Sequence, residues 1–377
     1  MNRIKAMLKR ARLDYRNSRG KKLKGRYLVI ESDDWGSIRQ SSPAAWKEQI
    51  ARSAKTEADP FFHYDALERG EDLERIWEVL SKYTDRDGNH PVMTADYAVA
   101  NPDFARIEAS GLESYFWEPF PETAKRYPGS ENLLELCRQG MEAGVWKPQL
   151  HCREHVQVPG WMKALRQRDP EISWAFAHQM ISTAESVTPR QHFGYMDAFC
   201  YPSSEERALD RLVEEAAGLF QALFGFRSET FVASCYVWNS ALEQSLRKNG
   251  IRAMQGGWYQ WIPGPEGSFV KKTHYGGARS AHQLYLVRNC LLKHSLFGDR
   301  DCVGRCLGEI ESAFRWKQPA VLSSHRVNYI GRLVPGNGAA GARILDELLG
   351  EVLKRWPNVR FLSSDQLAAL YRMEDER

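Results

Sequence analysis

Short apolar runs recur along the chain and alternate with stretches of helical periodicity, and this alternation most restricts the possible folds. The runs are too short for helices and predict strands at 26–32, 91–95, 148–151, 229–234, 251–254, 283–288, 319–323 and 359–363. The stretches between them space apolar residues as helices do, at 72–83, 131–143, 205–224, 239–249 and 344–353. Strands that alternate with helices pair in parallel through crossover connections. Seven or eight such strands predict an α/β fold with a closed or nearly closed (β/α)7-8 barrel.

Two connections are longer than a barrel needs. Residues 156–228 contain helical patterns, with one further strand conceivable at 193–199. Residues 255–282 are rich in Gly, Trp, Tyr and Pro, which indicates a long loop or a hairpin. Both could surround a ligand, because loops at the carboxyl ends of parallel strands form the site, or both could be packing insertions. We therefore predict one domain over 26–372 with two insertions.

A basic segment, 1–25, precedes this domain. Residues 1–26 carry 11 basic side chains and one acidic side chain, which leaves 41 basic and 47 acidic residues in the remainder. The segment could form a helix with an apolar face made by Ile4, Met7, Leu8, Ala11 and Tyr15. Such a helix could lie on an anionic membrane, at about 1 kcal/mol per basic residue near the surface. A solvated tail is the alternative, and the lack of a second basic patch argues against nucleic acid.

The chain lacks the sequence marks of export or membrane insertion. No apolar run approaches the roughly 18 residues that a membrane-spanning helix needs, and no apolar stretch of a secretory signal follows the basic segment. The seven cysteines form no Cys-x-x-Cys pair, which is typical of free thiols in a reducing compartment. These features predict a cytoplasmic protein, which could be peripheral at the inner membrane face.

Two adjacent carboxylates, Asp33 and Asp34, directly follow the first predicted strand. Carboxylates at the end of a buried strand repel each other unless a cation or a proton relieves them. A metal ion would do so, with one aspartate as its ligand and the other as a base. A turn or a helix cap is the alternative, because Asp and Gly are common in turns.

Two histidines, His151 and His155, follow the third predicted strand, and imidazoles four residues apart can converge on one ion. The chain has ten histidines, so the spacing alone is a weak signal, but the position at a strand end strengthens it. Two histidines and one aspartate form a catalytic ligand set for zinc or a similar divalent ion, with positions left open for water and substrate.

Two further polar clusters follow later strands. His325 ends the segment Ser-Ser-His; a structural imidazole is the default interpretation, but a metal hydrolase would use a protonated imidazole as donor to a leaving amine. The segment 231–238 carries Tyr236 and Trp238, whose rings could border a sugar or pack in the core. A backbone N–H near Tyr236 could stabilise an oxyanion.

In their order along the chain, Asp-Asp, His-x-x-x-His and the late Leu-x-x-His resemble the motifs of the polysaccharide deacetylases, carbohydrate esterase family 4. The resemblance extends over residues 26–370. It implies a distorted barrel of the glycoside hydrolase/deacetylase type, which removes acetyl groups from N-acetylated sugars with a divalent metal ion, usually zinc. It further implies a catalytic base at Asp33, a catalytic acid at His325 and three metal ligands, Asp34, His151 and His155.

The chain departs from the family pattern, which indicates a divergent branch with a rebuilt pocket. Trp35 precedes the glycine of the first motif, and Cys152 replaces the Ser or Thr after the first metal histidine. The family's Arg-x-Pro motif, whose arginine steadies the catalytic aspartate, has no match, so Arg39 or Arg153 could supply the charge. The Asp-x-x-x-Trp motif is not recognisable, although Arg288 lies nearby. We predict substrate contacts from Trp35, Arg39, Arg153, Tyr236 and Trp238.

The resulting prediction is a metal-dependent carbohydrate deacetylase, a hydrolase of amide C–N bonds that acts in surface-glycan biosynthesis, with a substrate that could be lipid-linked. A glycoside hydrolase is the first alternative. It needs two carboxylates about 5–10 Å apart, so a partner such as Glu31, Glu154 or Asp197 would have to face the aspartate pair. A catalytically silent sugar-binding protein is the second alternative.

Overall fold

The computed structural model of the protein describes residues 2–187, 192–201, 206–297 and 301–375. All eight predicted strands are present among thirteen described strands: β1 (Arg26–Trp35), β2 (Met93–Ala98), β3 (Ala100–Pro102), β4 (Trp117–Pro119), β5 (Trp146–Cys152), β6 (Thr230–Val232), β7 (Ala253–Gly256), β8 (Tyr259–Pro263), β9 (Phe269–Thr273), β10 (Leu284–Val287), β11 (Cys290–Leu291), β12 (Ala320–His325) and β13 (Val359–Leu362).

The predicted helices correspond to α5, α8, α11, α12 and α15 among sixteen described helices. The helices are α1 (Asn2–Ser18), α2 (Pro43–Arg52), α3 (Ala54–Ala58), α4 (Pro60–His63), α5 (Gly70–Ser81), α6 (Phe104–Ala109), α7 (Phe120–Ala124), α8 (Leu133–Glu142), α9 (Val158–Arg166), α10 (Pro170–Ala177), α11 (Glu206–Phe224), α12 (Ser240–Lys248), α13 (His294–Phe297), α14 (Cys302–Arg315), α15 (Pro335–Arg355) and α16 (Ser364–Asp375).

The central sheet is parallel and has the strand order β10-β7-β6-β5-β2-β1-β12-β11. β10 pairs with β7, and β11, which begins three residues after β10 ends, pairs with β12. Between them the N–H of Arg288 donates to Gly256 at 2.8 Å and the N–H of Asn289 donates to Val321 at 3.1 Å. This one stretch of chain therefore joins the two ends of the sheet, and the predicted (β/α)7-8 barrel is confirmed. β13 pairs with the first half of β1 as the ninth strand of the sheet.

Alternate residues of the strands face two different apolar layers, as the period of two along a strand requires. On β1, Leu28 and Ile30 belong to the large cluster under the surrounding helices. Tyr27 and Val29 belong to a smaller cluster inside the barrel, together with residues of β7, β10 and β12. Side chains of α16 complete this inner cluster, so α16 covers the amino-terminal end of the barrel. The carboxyl end, where β1 continues to its two aspartates, stays free for a site.

The insertions have different structures. The segment 156–228 contains α9, α10, a 3-10 turn at His192–Tyr195 and α11; its residues 188–191 and 202–205 lie outside the described ones. The conceivable strand at 193–199 is wrong, because its first residues lie in that turn. The segment 255–282 contains an antiparallel hairpin, β8 with β9, in which Ile262 is opposite Val270.

The basic segment is helical, and α1 packs on α14 through polar groups. Asn17 Nδ2 donates to Ser312 Oγ at 3.0 Å, and Asp14 pairs with Arg315 at 3.1 Å. Two apolar side chains of α1 face solvent, because Met7 is 70% exposed and Leu8 is 61% exposed. Among the described residues, no helix is long and apolar enough to cross a membrane.

One arginine occupies the polar centre of the barrel. Arg288, where β10 gives way to β11, donates to Glu31 at 2.5 Å, to both oxygens of Asp33 at 2.6 Å and to Asp96 at 3.1 Å. Burial, followed by the charge of Asp33, raises the pKa of Asp96 well above its ordinary range. Burial also raises the pKa of Glu31, against the opposing charge of Arg288. A single guanidinium thus balances three buried carboxyl groups.

We expect Arg288→Gln to lower the free energy of unfolding by about 3–5 kcal/mol at pH 7, because removing one partner leaves buried carboxylates without a cation. Urea unfolding measures this loss. The carboxyl pKa values in the folded variant would lie above their unfolded values, so the folded variant binds more protons and loses stability as the pH rises. The difference in the free energy of unfolding between the variant and the wild type should therefore shrink as the pH falls from 7 toward 4.

Arg279→Gln is the matched control, because Arg279 pairs with Asp375 at the protein surface. Exposed pairs contribute about 0–1 kcal/mol, so this variant should remain close to the wild type. Equal losses in the two variants would contradict a central role of Arg288 in the barrel.

Candidate metal centre and the cavity around it

A bulge at the end of β1 brings two neighbouring carboxylates to one side of the sheet. In a regular strand, successive side chains face opposite sides. The pairing of β1 with β2 shifts its register between Ser32 and Trp35, and Asp34 has a φ of 77°. Gly36 follows with a φ of 77°, and a Cβ there would lie 2.5 Å from the Ala98 carbonyl oxygen. This turn needs its glycine, and it allows Asp33 and Asp34 to face the same mouth of the barrel.

The three predicted metal ligands lie together. Asp34 Oδ1 is 3.5 Å from His151 Nε2 and 3.2 Å from His155 Nε2. One ligand atom from each residue lies within 4.8 Å of the others, and all three residues are buried. His151 belongs to β5 and His155 to the bend that follows it, so the cluster forms where two strands of the barrel end.

The donor set fits a divalent cation. His151 Nδ1 is 2.9 Å from the Val232 carbonyl, which fixes the proton on Nδ1 and leaves the Nε2 lone pair facing Asp34. Nε2 of His151 and Nδ1 of His155 are buried and have no hydrogen-bond partner among the described residues. A cation among the three side chains would satisfy His151 Nε2. Two imidazoles and a carboxylate suit zinc or a similar ion and leave positions open for water and substrate.

Asp33 lies beside this cluster with a different partner. Both of its oxygens accept hydrogen bonds from Arg288, and Oδ2 is 3.6 Å from Nε2 of His325, its register partner on β12. Burial by itself would raise the pKa of Asp33, but the charge and hydrogen bonds of Arg288 outweigh it and lower the pKa far below its ordinary value. Asp33 is therefore ionised at neutral pH.

The expectation that Arg39 or Arg153 supplies this charge is wrong, because Arg288 does so. The signal in the sequence was slight: Arg288 stands at the end of a predicted strand, close to where the unrecognised Asp-x-x-x-Trp motif was expected. Only the pairing of β10 and β11 with strands on either side shows that its side chain enters the barrel.

His325 is neutral in this environment. Burial, and next the positive charge of Lys293, lower the pKa of His325 to about 3. Its Nδ1 is buried without a hydrogen-bond partner among the described residues, and its ring meets Phe61 edge to face at 5.4 Å. The prediction of a protonated imidazole therefore does not hold for the free protein, in which the neutral ring of His325 carries one N–H.

A cavity of about 380 Å³ opens onto the cluster. Its wall combines the end of β1, the segment before and within α4, both insertions and the turn after β6. The lining residues are Asp33, Asp34, Arg39, Asp59, Phe61, Phe62, His151, His155, Val187, Met196, Ala233, Cys235, Tyr236, Trp261 and His325. Sequence reasoning missed Phe61 and Trp261, and for Trp261 the aromatic richness of 255–282 was the available signal.

The wall includes Arg39 and Tyr236 but not three other predicted substrate contacts. Trp35 is completely buried; its Nε1 donates to Ser32 Oγ at 3.1 Å and its ring packs against another indole of the core. Trp238 is 2% exposed and donates from Nε1 to Glu243 at 3.0 Å. Both indoles therefore pack inside the protein and have no free face for a sugar.

Arg153 is the third predicted substrate contact that does not line the cavity. Its guanidinium donates to Glu154 at 2.5 and 2.7 Å and pairs with Glu215, and it lies 5.3 Å from the centre of the Trp117 ring. These contacts hold the side chain away from the cavity wall, because the buried charge is more stable beside its carboxylates.

The turn after β6 also differs from the prediction. Cys235 and Tyr236 have φ angles of 56° and 57°, an unusual pair of left-handed residues. The N–H of Tyr236 donates to the Ala233 carbonyl at 3.0 Å, so it is used within the turn and is not available to an oxyanion. Tyr236 reaches the site through its side chain, whose Oη accepts from Arg288 at 3.3 Å.

No protein-family model matches the chain, and no curated protein matches its sequence. Among solved structures, it is similar to a 4-alpha-glucanotransferase from Thermococcus litoralis, with 10% identity and a TM-score of 0.44 over 92% of this chain and 40% of that chain. A protein from Mycobacterium smegmatis described as a polysaccharide deacetylase has 11% sequence identity and a TM-score of 0.45, and the match covers 94% of this chain and 93% of that chain. A Parabacteroides distasonis protein described as a glycoside hydrolase/deacetylase has 8% sequence identity and a TM-score of 0.48, and the match covers 93% of this chain and 72% of that chain.

We expect the protein to bind one divalent ion, and Asp34→Asn or His151→Ala to weaken the binding of zinc by about 100-fold or more, because each removes a ligand. Asp33→Asn should keep the metal. Competition with a chromophoric chelator measures the affinity. Ligand histidines must be deprotonated, so the affinity should fall as the pH drops below about 6.5.

His282→Ala is the control, since His282 does not line the cavity. This variant should bind zinc as the wild type does. If His151→Ala bound zinc with wild-type affinity, the assignment of the ligands would be refuted.

Proposed function

We propose that the protein is a metal-dependent hydrolase that removes the acetyl group from an N-acetylated sugar. The observation that carries this proposal is the arrangement at one mouth of the barrel. Three metal-type ligands and an ionised Asp33, 3.6 Å from His325, share one cavity. A carbohydrate-processing α/β barrel is the broader class, and the base and the ligands together support hydrolysis of an acetyl amide within it.

Each side chain has a role in this reaction. A divalent ion held by the three ligands would lower the pKa of a water molecule and polarise the acetyl carbonyl. Asp33 accepts the proton of the attacking water, and Arg288 holds its carboxylate ionised and in place. As the C–N bond breaks, the amine needs a proton, and His325 lies beside the carboxyl group that has just received one.

The cavity suits a small carbohydrate. Its volume of about 380 Å³ lies in the range of small-molecule sites. Phe61 and Trp261 supply aromatic faces on which the C–H groups of a sugar can pack, and Arg39 supplies hydrogen-bond donors.

The carboxylates favour a deacetylase over a glycoside hydrolase. Glu31 is buried against Arg288 and Ser364, Glu154 is paired with Arg153, and neither they nor Asp197 line the cavity. Asp59 does line it, and its Oδ1 accepts the N–H of Phe61 at 2.9 Å. A silent sugar-binding protein would need neither an ionised base nor a neighbouring imidazole.

The outward face of α1 supports a second proposal, that the protein rests on an anionic membrane and acts on a lipid-linked intermediate of glycan assembly. Met7, Leu8 and Tyr15 are three of the five large apolar side chains that are most exposed in the described chain. They lie among the basic residues of the first 26 positions, a combination typical of helices at membrane surfaces. A cytoplasmic location stays a prediction from the sequence.

Acetate release from a panel of N- and O-acetylated sugars tests the activity. Asp33→Asn should lower kcat by about 10²–10⁴-fold while zinc stays bound, because the variant lacks the base. A chelator should abolish turnover, and zinc should restore it.

Asp59→Asn separates the two hydrolase classes. We expect this variant to lose less than about tenfold in acetate release, since the carboxyl group of Asp59 has no part in deacetylation. Release of reducing sugar that survives the chelator and disappears in Asp59→Asn would instead establish a glycoside hydrolase.

A further inference from the structure

Three cations converge on one tyrosine beside the cavity. Arg12 donates to Tyr259 Oη at 2.9 Å, and Arg16 from the next turn of α1 donates to the same oxygen. The ammonium group of Lys271, on β9, lies 3.4 Å from the centre of the Tyr259 ring. Within the described parts of the chain, no carboxylate lies within ion-pairing distance of any of the three cations.

Several neighbouring basic residues differ from these three in having acidic partners. Arg10 pairs with Glu311 at 3.2 Å and Lys21 pairs with Asp375. The single acid of α1, Asp14, is taken by Arg315 on the side of the helix that packs against α14. The cluster around Tyr259 is therefore a local excess of positive charge, and it lowers the pKa of the Tyr259 hydroxyl against the effect of burial.

The hairpin connects this cluster to the cavity. Tyr259 and Trp261 are two residues apart on β8 and point to the same face, about 7 Å apart along the strand. Lys271 is opposite Trp261 in the hairpin, and Trp261 lines the cavity. A group held by the three cations would thus lie about 7 Å along β8 from the part of the cavity wall that Trp261 forms.

We propose that Arg12, Arg16 and Lys271 bind the phosphate or diphosphate group of a sugar substrate whose acetylated ring occupies the cavity. Guanidinium groups match phosphate oxygens in pairs, and the lysine adds a third charge. The sugar part of this inference rests on the proposed function, whereas the anion site does not. A diphosphate joined to a sugar is common to nucleotide-linked and lipid-linked donors, so both fit the geometry.

The first experiment measures binding of inorganic pyrophosphate to the full chain by calorimetry. The variant with Arg12→Gln, Arg16→Gln and Lys271→Gln should bind at least about tenfold more weakly, because it lacks three charge-assisted contacts. The matched control carries Lys5→Gln, Lys22→Gln and Lys24→Gln. It loses the same charge from exposed positions outside the cluster and should bind as the wild type does. Circular dichroism verifies that both variants fold.

The second experiment separates the sources of the anion. Vesicles of phosphatidylglycerol in phosphatidylcholine should lose affinity equally for the two triple variants, since a membrane senses total charge. A selective loss of vesicle binding in the cluster variant, with pyrophosphate binding intact, would overturn the proposal in favour of a lipid headgroup site. Wild-type pyrophosphate affinity in the cluster variant would overturn it outright.

A third experiment, on turnover, tests whether the anion site contributes to recognition of the sugar substrate. The preference in kcat/KM for a phosphorylated over an unphosphorylated acetylated sugar should fall about tenfold or more in the cluster variant and stay constant in the control. An unchanged preference in the cluster variant would overturn the substrate assignment. Pyrophosphate binding that depends on the cluster, in a protein without deacetylase activity, would support the anion site and refute the proposed function.

Discussion

The rest of the structure depends on the contact of Arg288 with three buried carboxyl groups. Its position follows from barrel closure, because the chain changes strand partner on either side of this residue. Without its charge, Glu31, Asp33 and Asp96 would have to take up protons or separate. With it, Asp33 stays ionised although its side chain is buried. The residue that completes the barrel is thus also the one that keeps Asp33, the proposed base, ionised at its mouth.

A second constraint acts at the end of β1. Adjacent side chains on a strand diverge, so Asp33 and Asp34, the proposed base and the proposed metal ligand, can face one mouth of the barrel only if the backbone is irregular. The register shift, the left-handed Asp34 and the closely packed Gly36 provide it. Such strain is retained where surrounding contacts hold it, here the two imidazoles on Asp34 and the guanidinium on Asp33.

The insertions supply part of the cavity wall, and the basic helix contacts one of them. The strand ends of the barrel supply the proposed ligands, the proposed base and the His325 imidazole, whereas Phe61, Met196 and Trp261 line the rest of the cavity and come from connections. α1 docks on the hairpin through Tyr259, two residues before Trp261 of the cavity wall. An activity and its substrate preference can therefore come from different parts of one chain, since the strand ends are fixed by the barrel and the loops are not.

The sequence by itself indicated eight of the thirteen described strands, five of the sixteen described helices and the meeting of Asp34, His151 and His155, because apolar periodicity is local and parallel strands end at one face. It did not determine the partner of Asp33, since Arg39, Arg153 and Arg288 are equally basic and only barrel closure selects one. It misassigned Trp35 and Trp238, because an indole in the core and an indole on a wall have the same local sequence signal. Burial and long-range pairing are properties of the folded chain, and they decided which polar and aromatic residues reach the cavity.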